Sequence, residues 1–276
     1  MAVDHIVALP AGTRAMEAKP PLIELNEVGK SYLNGTVALA NASLTIGHGE
    51  FISLLGPSGC GKSTLLRLIA GLGSISRGSI GWPQASKAAG HMGDLGFVFQ
   101  DPTLMPWATV FNNIYLPLKL AGVGRAAAAA QVSEVIKMVG LEPFAHTYPR
   151  ELSGGMKMRV SIARALAVKP RVLLMDEPFA ALDEITRFRL NNDLLQLWQS
   201  QQWTVIFVTH SIFESVYLSN RIAVMSSRPG RIVADLAIDA PYPRGEAFRM
   251  TPTYNDYCRL VSVELARAMS ENEEEH

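Results

Sequence analysis

The segment Gly56-Pro57-Ser58-Gly59-Cys60-Gly61-Lys62-Ser63-Thr64 constrains this chain more than any other. It follows an apolar run at 51–55 that has the length of a buried strand. It precedes Leu65, Leu66, Leu68, Ile69 and Leu72 at helical spacing, with Gly71 and Gly73 to close that helix. A glycine-rich turn between a buried strand and a helix belongs to a parallel sheet covered by helices. Glycine lets the backbone curl with its N–H groups inward, making a concave anion site, and the helix N-terminus adds partial positive charge beneath it. The spacing G-x-x-x-x-G-K-[ST] therefore predicts a polyphosphate cradle, with Lys62 at the outer phosphates and the Ser63 hydroxyl on Mg²⁺. Cys60 lies inside the turn, where a helix N-terminus can depress a thiol pKa. The favoured reading is a small residue tolerated in a tight space.

The remaining pattern agrees with an α/β chain. Strands are predicted at 22–28, 38–46, 51–55, 96–99, 171–175, 204–208, 222–225 and 231–234, and a long amphipathic helix at 185–201. From about 104 to 151 there is no clear strand and several helical stretches, including the alanines at 126–130. The expected division is a loose leader at 1–21, one α/β body at 22–235 with a helical subdomain at about 104–158, and a C-terminal extension at 236–276. No role is assigned to residues after about Leu236, which end in an acidic tail from Glu271 to His276.

Composition narrows the class. Lys plus Arg number 25 and Asp plus Glu 25, so the net charge is zero and a broad basic nucleic-acid face is not expected. Charged residues are 18% of the chain, against roughly 25% in typical soluble domains, which suggests a surface partly hidden against a partner. Two cysteines, Cys60 and Cys258, support neither a disulfide framework nor a four-ligand zinc site. No apolar run approaches the roughly 18 residues of a membrane span, and the start lacks a basic stretch followed by an apolar one. A soluble intracellular protein in a reducing compartment is expected.

Further candidate residues stand at strand ends. The apolar run at 172–175 ends in Asp176 and Glu177, and ligands in open parallel sheets bind beyond the carboxyl ends of strands. Asp176 is thus placed for the Mg²⁺ shell, and Glu177 to orient or deprotonate an attacking water. The strand at 204–208 leads to Thr209-His210-Ser211, and Ser211-Ile212-Phe213-Glu214 reads as a capping box opening a helix. A ring N–H of His210 can then reach a terminal phosphate. Leu152-Ser153-Gly154-Gly155-Met156 opens another helix, with Ser153 as N-cap and two glycines leaving bare backbone N–H groups. That is a second anion site. One triphosphate can use both only between facing subunits, head to tail.

With these motifs in this order, the chain resembles the ATP-binding cassette (ABC) ATPases over about 22–232. The resemblance implies a P-loop NTPase core, α/β with a mainly parallel sheet, an N-terminal antiparallel β part and a helical insert. It implies ATP and Mg²⁺ as cofactors. Tyr32 looks like the aromatic residue stacked on adenine, and 56–64 is similar to the Walker A loop. Gln100 matches the Q-loop glutamine that links Mg²⁺ to the transmembrane partner. Ser153, Gly154 and Gly155 look like the signature touching the γ-phosphate from the opposite subunit. Asp176 and Glu177 match Walker B and the catalytic base, Asp183 in Ala181-Leu182-Asp183 the D-loop, and His210 the switch histidine. The implied catalytic set is Glu177, His210, Lys62 and Gln100, and the implied metal set Ser63, Gln100 and Asp176. The sequence departs at Met156, where the family most often has glutamine, and at Ser211, where aspartate is common.

Phe99-Gln100-Asp101, Leu104-Met105-Pro106-Trp107, the Ser-Gly-Gly-Met signature and the stretch from Ser227 to Ile232 are similar to the ATPases of nitrate, sulfonate and taurine importers. The resemblance then implies a homodimer of ATPase subunits, transmembrane permease subunits and, indirectly, a solute-binding protein. It places the chain in the cytoplasm, peripheral on the inner face of the membrane, without nucleic acid. Leu104, Met105, Trp107, Val110 and Phe111 either line a groove for a permease helix or are core of the insert. The alternatives are a non-transport family member and a nucleotide sensor without turnover. The interval from Lys62 to Ser153 is too short for the coiled coil of the DNA-acting members, and ribosome-acting members usually carry two cassettes. Glu177 and His210 oppose the sensor.

Overall fold

A computed structural model describes residues 20–83 and 95–270. Most of the expected leader, 1–19, and the acidic tail lie outside the described residues. In chain order the elements are β1 (Pro21–Ser31), β2 (Val37–Gly47), β3 (Phe51–Leu55), α1 (Lys62–Ile69), β4 (Arg77–Gly81), β5 (Leu95–Val98), α2 (Val110–Leu120), α3 (Arg125–Met138), α4 (Gly154–Leu166), β6 (Val172–Asp176), α5 (Glu184–Gln201), β7 (Thr204–Thr209), α6 (Ile212–Leu218), β8 (Arg221–Met225), β9 (Ile232–Ala237) and α7 (Pro252–Ser270).

A six-stranded sheet of order β5-β6-β7-β3-β8-β9 carries the site. Its first five strands run parallel and β9 closes the edge antiparallel to β8. Strands β3, β6 and β7 are buried at every position, which is why they read as unbroken apolar runs: helices or a second sheet cover both faces. Alternate residues feed two cores. Phe51, Leu55, Leu173, Met175, Val205 and Phe207 face the helical side, while Ile52, Leu54, Leu174, Ile206 and Val208 face α1 and the small sheet. That small sheet is antiparallel, of order β2-β1-β4.

Two elements were illegible. Strand β4, Arg-Gly-Ser-Ile-Gly, has neither alternation nor an apolar run, and exists because β1 offers it a pairing edge. Helix α7 lies in the extension that received no assignment. It buries Tyr254, Tyr257, Cys258 and Val261, and Tyr254 Oη donates to Phe213 O at 3.0 Å. Before it, the buried guanidinium of Arg244 donates to the carbonyls of Val216, Tyr217 and Ser219 at the end of α6, and to those of Ile238 and Ala240. The extension is thus tied to the helix that follows His210.

Between β5 and β6 the chain forms α2, α3 and α4, and α4 runs on to Leu166, where it packs on β5. The apolar cluster at the start of this insert divides. Val110 is fully buried and Leu104 and Phe111 pack on the core, whereas Trp107 is 77% exposed.

Candidate active site

Strand register places the candidate residues along one sheet edge. Leu55 pairs with Thr209, Asp176 with Val208, and Val98 with Met175. Gly56, His210, Glu177 and Gln100 therefore all emerge beyond the carboxyl ends of adjacent parallel strands.

The loop after β3 is closed tightly against its surroundings. Gly61 has φ of +100°, and a Cβ there would stand 2.7 Å from Ala38 O, so only glycine serves. The chain then enters α1, and Lys62 folds back over the loop. Its Nζ donates to Gly56 O at 2.8 Å and to Pro57 O at 3.0 Å, and lies 3.8 Å from Glu177 Oε1. Lys62 is only 4% exposed, so its charge acts on the loop mouth with little screening. Cys60 is also buried, and burial pushes its thiol pKa up, against the nearby charge of Lys62. The Cys60 side chain packs with the core cluster beneath the loop.

Ser63 Oγ donates to Asp176 Oδ1 at 2.6 Å, joining the loop to the end of β6. Burial pushes the Asp176 carboxyl above the usual carboxylate range, while the Ser63 bond and Arg67, 4.0 Å away, pull it back. One buried carboxylate and one hydroxyl are hard oxygen donors that suit Mg²⁺, which takes few protein ligands and leaves the rest to phosphates and water. Among the described residues no group of three or more His, Cys, Asp or Glu could hold a metal.

Glu177 has φ of +44°, a left-handed conformation that costs a non-glycine residue on the order of 1 kcal/mol. Its N–H donates to Val208 O at 3.1 Å, which holds the turn and aims the carboxylate inward. There Oε2 lies 2.9 Å from His210 Nδ1 while Oε1 faces Lys62. Lysine, carboxylate and imidazole form one chain of contacts. Tyr32, 46% exposed, stands beside α1 with Oη 3.4 Å from Thr64 Oγ1. Gln100 is exposed just beyond β5.

Ser153, Gly154 and Gly155 gather elsewhere. Ser153 caps α4, its Oγ accepting from Met156 N at 3.3 Å. A Cβ on Gly155 would meet Thr186 Cγ2 at 2.6 Å, and one on Gly154 would meet Leu182 at 3.2 Å. The glycines let α4 approach the start of α5, where Asp183 is itself the N-cap, accepting from Thr186 N at 2.9 Å. Those backbone bonds hold the Asp183 carboxyl below its ordinary pKa. Met156, the departure from glutamine, packs its side chain on the core.

The capping box at Ser211 is half formed. Ser211 Oγ accepts from Glu214 N at 3.3 Å, but the Glu214 carboxylate takes a bond from Thr209 Oγ1 and faces Arg187 Nε at 3.8 Å. Ser211 N donates to Thr209 Oγ1 instead. Thr209 Oγ1 thus stands between the two halves of the box, taking both the Glu214 carboxylate and the Ser211 N–H. Sequence spacing also missed Ala38, which seals Gly61 from a distant strand, and Arg228, which donates from Nε to Gly59 O at 3.0 Å. Contacts this far apart in sequence leave no local signal.

The chain matches the ABC transporter family over residues 39–180. It is 46% identical to the nitrate import ATP-binding protein NrtD of Synechocystis, across 80% of this chain and 82% of that protein. It is 47% identical to the aliphatic sulfonates import ATP-binding protein SsuB of Bacillus subtilis, across 83% and 87%. Among solved structures it is similar to a dimeric post-hydrolysis state of the ATP-binding cassette MJ0796 bound to ADP and Pi, with a TM-score of 0.68 and 34% identity, covering 79% of this chain and all of that one.

Proposed function

The chain belongs to the ABC transporter family and is an ATP hydrolase, and on that premise we propose that it powers an importer of a small anionic solute, such as nitrate or a sulfonate. The observation that carries the catalytic reading is the single contact chain running from Lys62 through Glu177 to His210, beside the Ser63–Asp176 bond. The similarity to NrtD and SsuB carries the solute class.

In this reading Lys62 holds the outer phosphates and the backbone of 56–64 the inner ones, with Tyr32 stacked on the adenine. Ser63, Asp176 and Gln100 hold Mg²⁺, which supplies charge neutralisation at the phosphates. Glu177 orients water and takes its proton as the oxygen bonds to the terminal phosphorus. The bond from that phosphorus to the bridging oxygen breaks, ADP leaves with that oxygen, and inorganic phosphate is released. His210 gives Nδ1–H to the Glu177 carboxylate and so keeps the base aimed at the water. Charge stabilisation around the terminal phosphoryl does most of the work.

Completion of the site needs a second copy. Ser153, Gly154 and Gly155 open α4 with their glycine Cα atoms packed close to Leu182 and Thr186 of the same chain. The N–H groups of that helix start serve a nucleotide held by a facing copy, with Asp183 at the junction. ATP draws the two copies together and hydrolysis lets them part. No helix among the described residues is long and apolar enough to cross a membrane, so the transmembrane path belongs to permease subunits, fed by a solute-binding protein. The chain then sits on the cytoplasmic face of the membrane.

The permease contact is the exposed start of the insert. A cleft of about 310 Å³ lined by Phe99, Thr103, Leu116, Pro117, Leu120 and Arg164 adjoins Gln100. Trp107 stands on the same insert, bare to solvent. Trp107→Glu is expected to weaken capture of the permease by at least about tenfold, the cost of losing an aromatic anchor, while ATP affinity stays unchanged. Equal loss of both in paired pull-down and nucleotide-binding measurements would reject this docking site.

A further inference from the structure

The turn between β8 and β9 presses on the outer face of the phosphate loop. We propose that Arg228 is a positioning residue for ATP binding, which acts by fixing the loop from behind through the carbonyl of Gly59. The proposal rests on residues 56–64 being the phosphate site.

The geometry is specific to that turn. Arg228 Nε donates to Gly59 O at 3.0 Å, and a Cβ on Gly59 would come 2.7 Å from Arg228 Nη2, so the guanidinium lies across residue 59. Gly230 N donates to Ala38 O at 3.1 Å and Gly230 O accepts from Ala40 N at 2.9 Å, which braces the turn on β2. A Cβ at Gly230 would stand 2.0 Å from Cys60 O, so turn and loop are in direct contact. Ser226 locks the turn internally: its N–H donates to Arg231 O, its Oγ accepts from Arg231 N at 3.1 Å, and Oγ donates to Pro229 O at 3.2 Å. The stem carrying Arg228 is thus held at both ends.

A loop that turns its N–H groups inward turns carbonyls outward. Gly59 O is one of these, and it shares a peptide unit with Cys60 N–H, which closes the loop onto Pro57 O at 3.3 Å. A cation on the carbonyl side polarises that unit and strengthens its N–H as a donor, to Pro57 O in the empty loop and to a phosphate oxygen when one displaces it. It also keeps φ of +75° at Gly59 populated when no phosphate is bound. Both effects are the same for bound ATP and for the transition state, so they change affinity and not the chemical step.

The test is steady-state ATP hydrolysis by the full chain carrying Arg228→Ala, Arg228→Met or Arg228→Lys, with Lys62→Ala as reference. Arg228→Ala is expected to raise the KM for ATP about tenfold, the worth of one charge-assisted hydrogen bond, with kcat within about twofold. Arg228→Met keeps the apolar stem without the donor and is expected to match alanine. Arg228→Lys keeps a cation at the same reach and is expected to bring KM back to within about threefold of the parent. An unchanged KM in Arg228→Ala, recovery by methionine, or a fall in kcat at constant KM would overturn the proposal. If Lys62→Ala keeps full ATP affinity, the phosphate-loop reading itself fails; if it loses affinity while Arg228→Ala does not, only the role of Arg228 fails.

Discussion

Glu177→Gln is expected to slow ATP turnover at least about a hundredfold while ATP still binds, since a well-placed general base contributes about 10²–10⁴-fold. Glutamine keeps the volume and one acceptor oxygen, so the contact to His210 Nδ1, 2.9 Å in the parent, survives. The backbone bond from residue 177 to Val208 O is untouched by the change. What disappears is the basic lone pair and the negative charge 3.8 Å from Lys62. The loss therefore falls on the chemical step and not on the fold. Single-turnover phosphate release, read beside equilibrium ATP binding, separates the two. Near-parental turnover would show that another group takes the proton.

Lys62→Ala is expected to fail earlier, at binding, with ATP affinity reduced by about a hundredfold or more. Charged hydrogen bonds are worth about 1.5–3 kcal/mol each, and the ammonium serves more than one phosphate oxygen. No other full positive charge lies within residues 56–64. The substitution also leaves Gly56 O and Pro57 O without their donor, so a thermal unfolding curve belongs beside the titration. A folded Lys62→Ala protein with parental ATP affinity would move the nucleotide away from this loop.

Most of the candidate site's placement was readable because its signals are local. The loop, the Asp176–Glu177 pair and His210 each follow an unbroken apolar strand, and a parallel sheet delivers such strand ends to one edge. The N-caps Ser153 and Ser211 were likewise visible as short polar residues before helices, and serine at 211 caps α6 in place of the usual aspartate. Asp183 was singled out by resemblance alone, and its capping of α5 appears in the structure. Features that depend on distant partners were not readable. Nothing near Glu214 announces that Arg187 and Thr209 will take its carboxylate. Strand β4 has no pattern of its own and forms against β1. Helix α7 has an apolar stripe, but the irregular segment before it hides the start, and its attachment runs through Tyr254 to Phe213 O and, just before the helix, through the buried guanidinium of Arg244. Arg228 was visible only as part of a stretch marking ancestry, and its place behind Gly59 is a product of the fold.

Small-angle scattering from Glu177→Gln at saturating Mg-ATP reads whether one nucleotide is clasped between two oppositely oriented copies. Particles of twice the single-chain mass are expected, reverting to single chains when ADP replaces ATP. Single chains at every ATP concentration, with the permease present as well as absent, would contradict that arrangement.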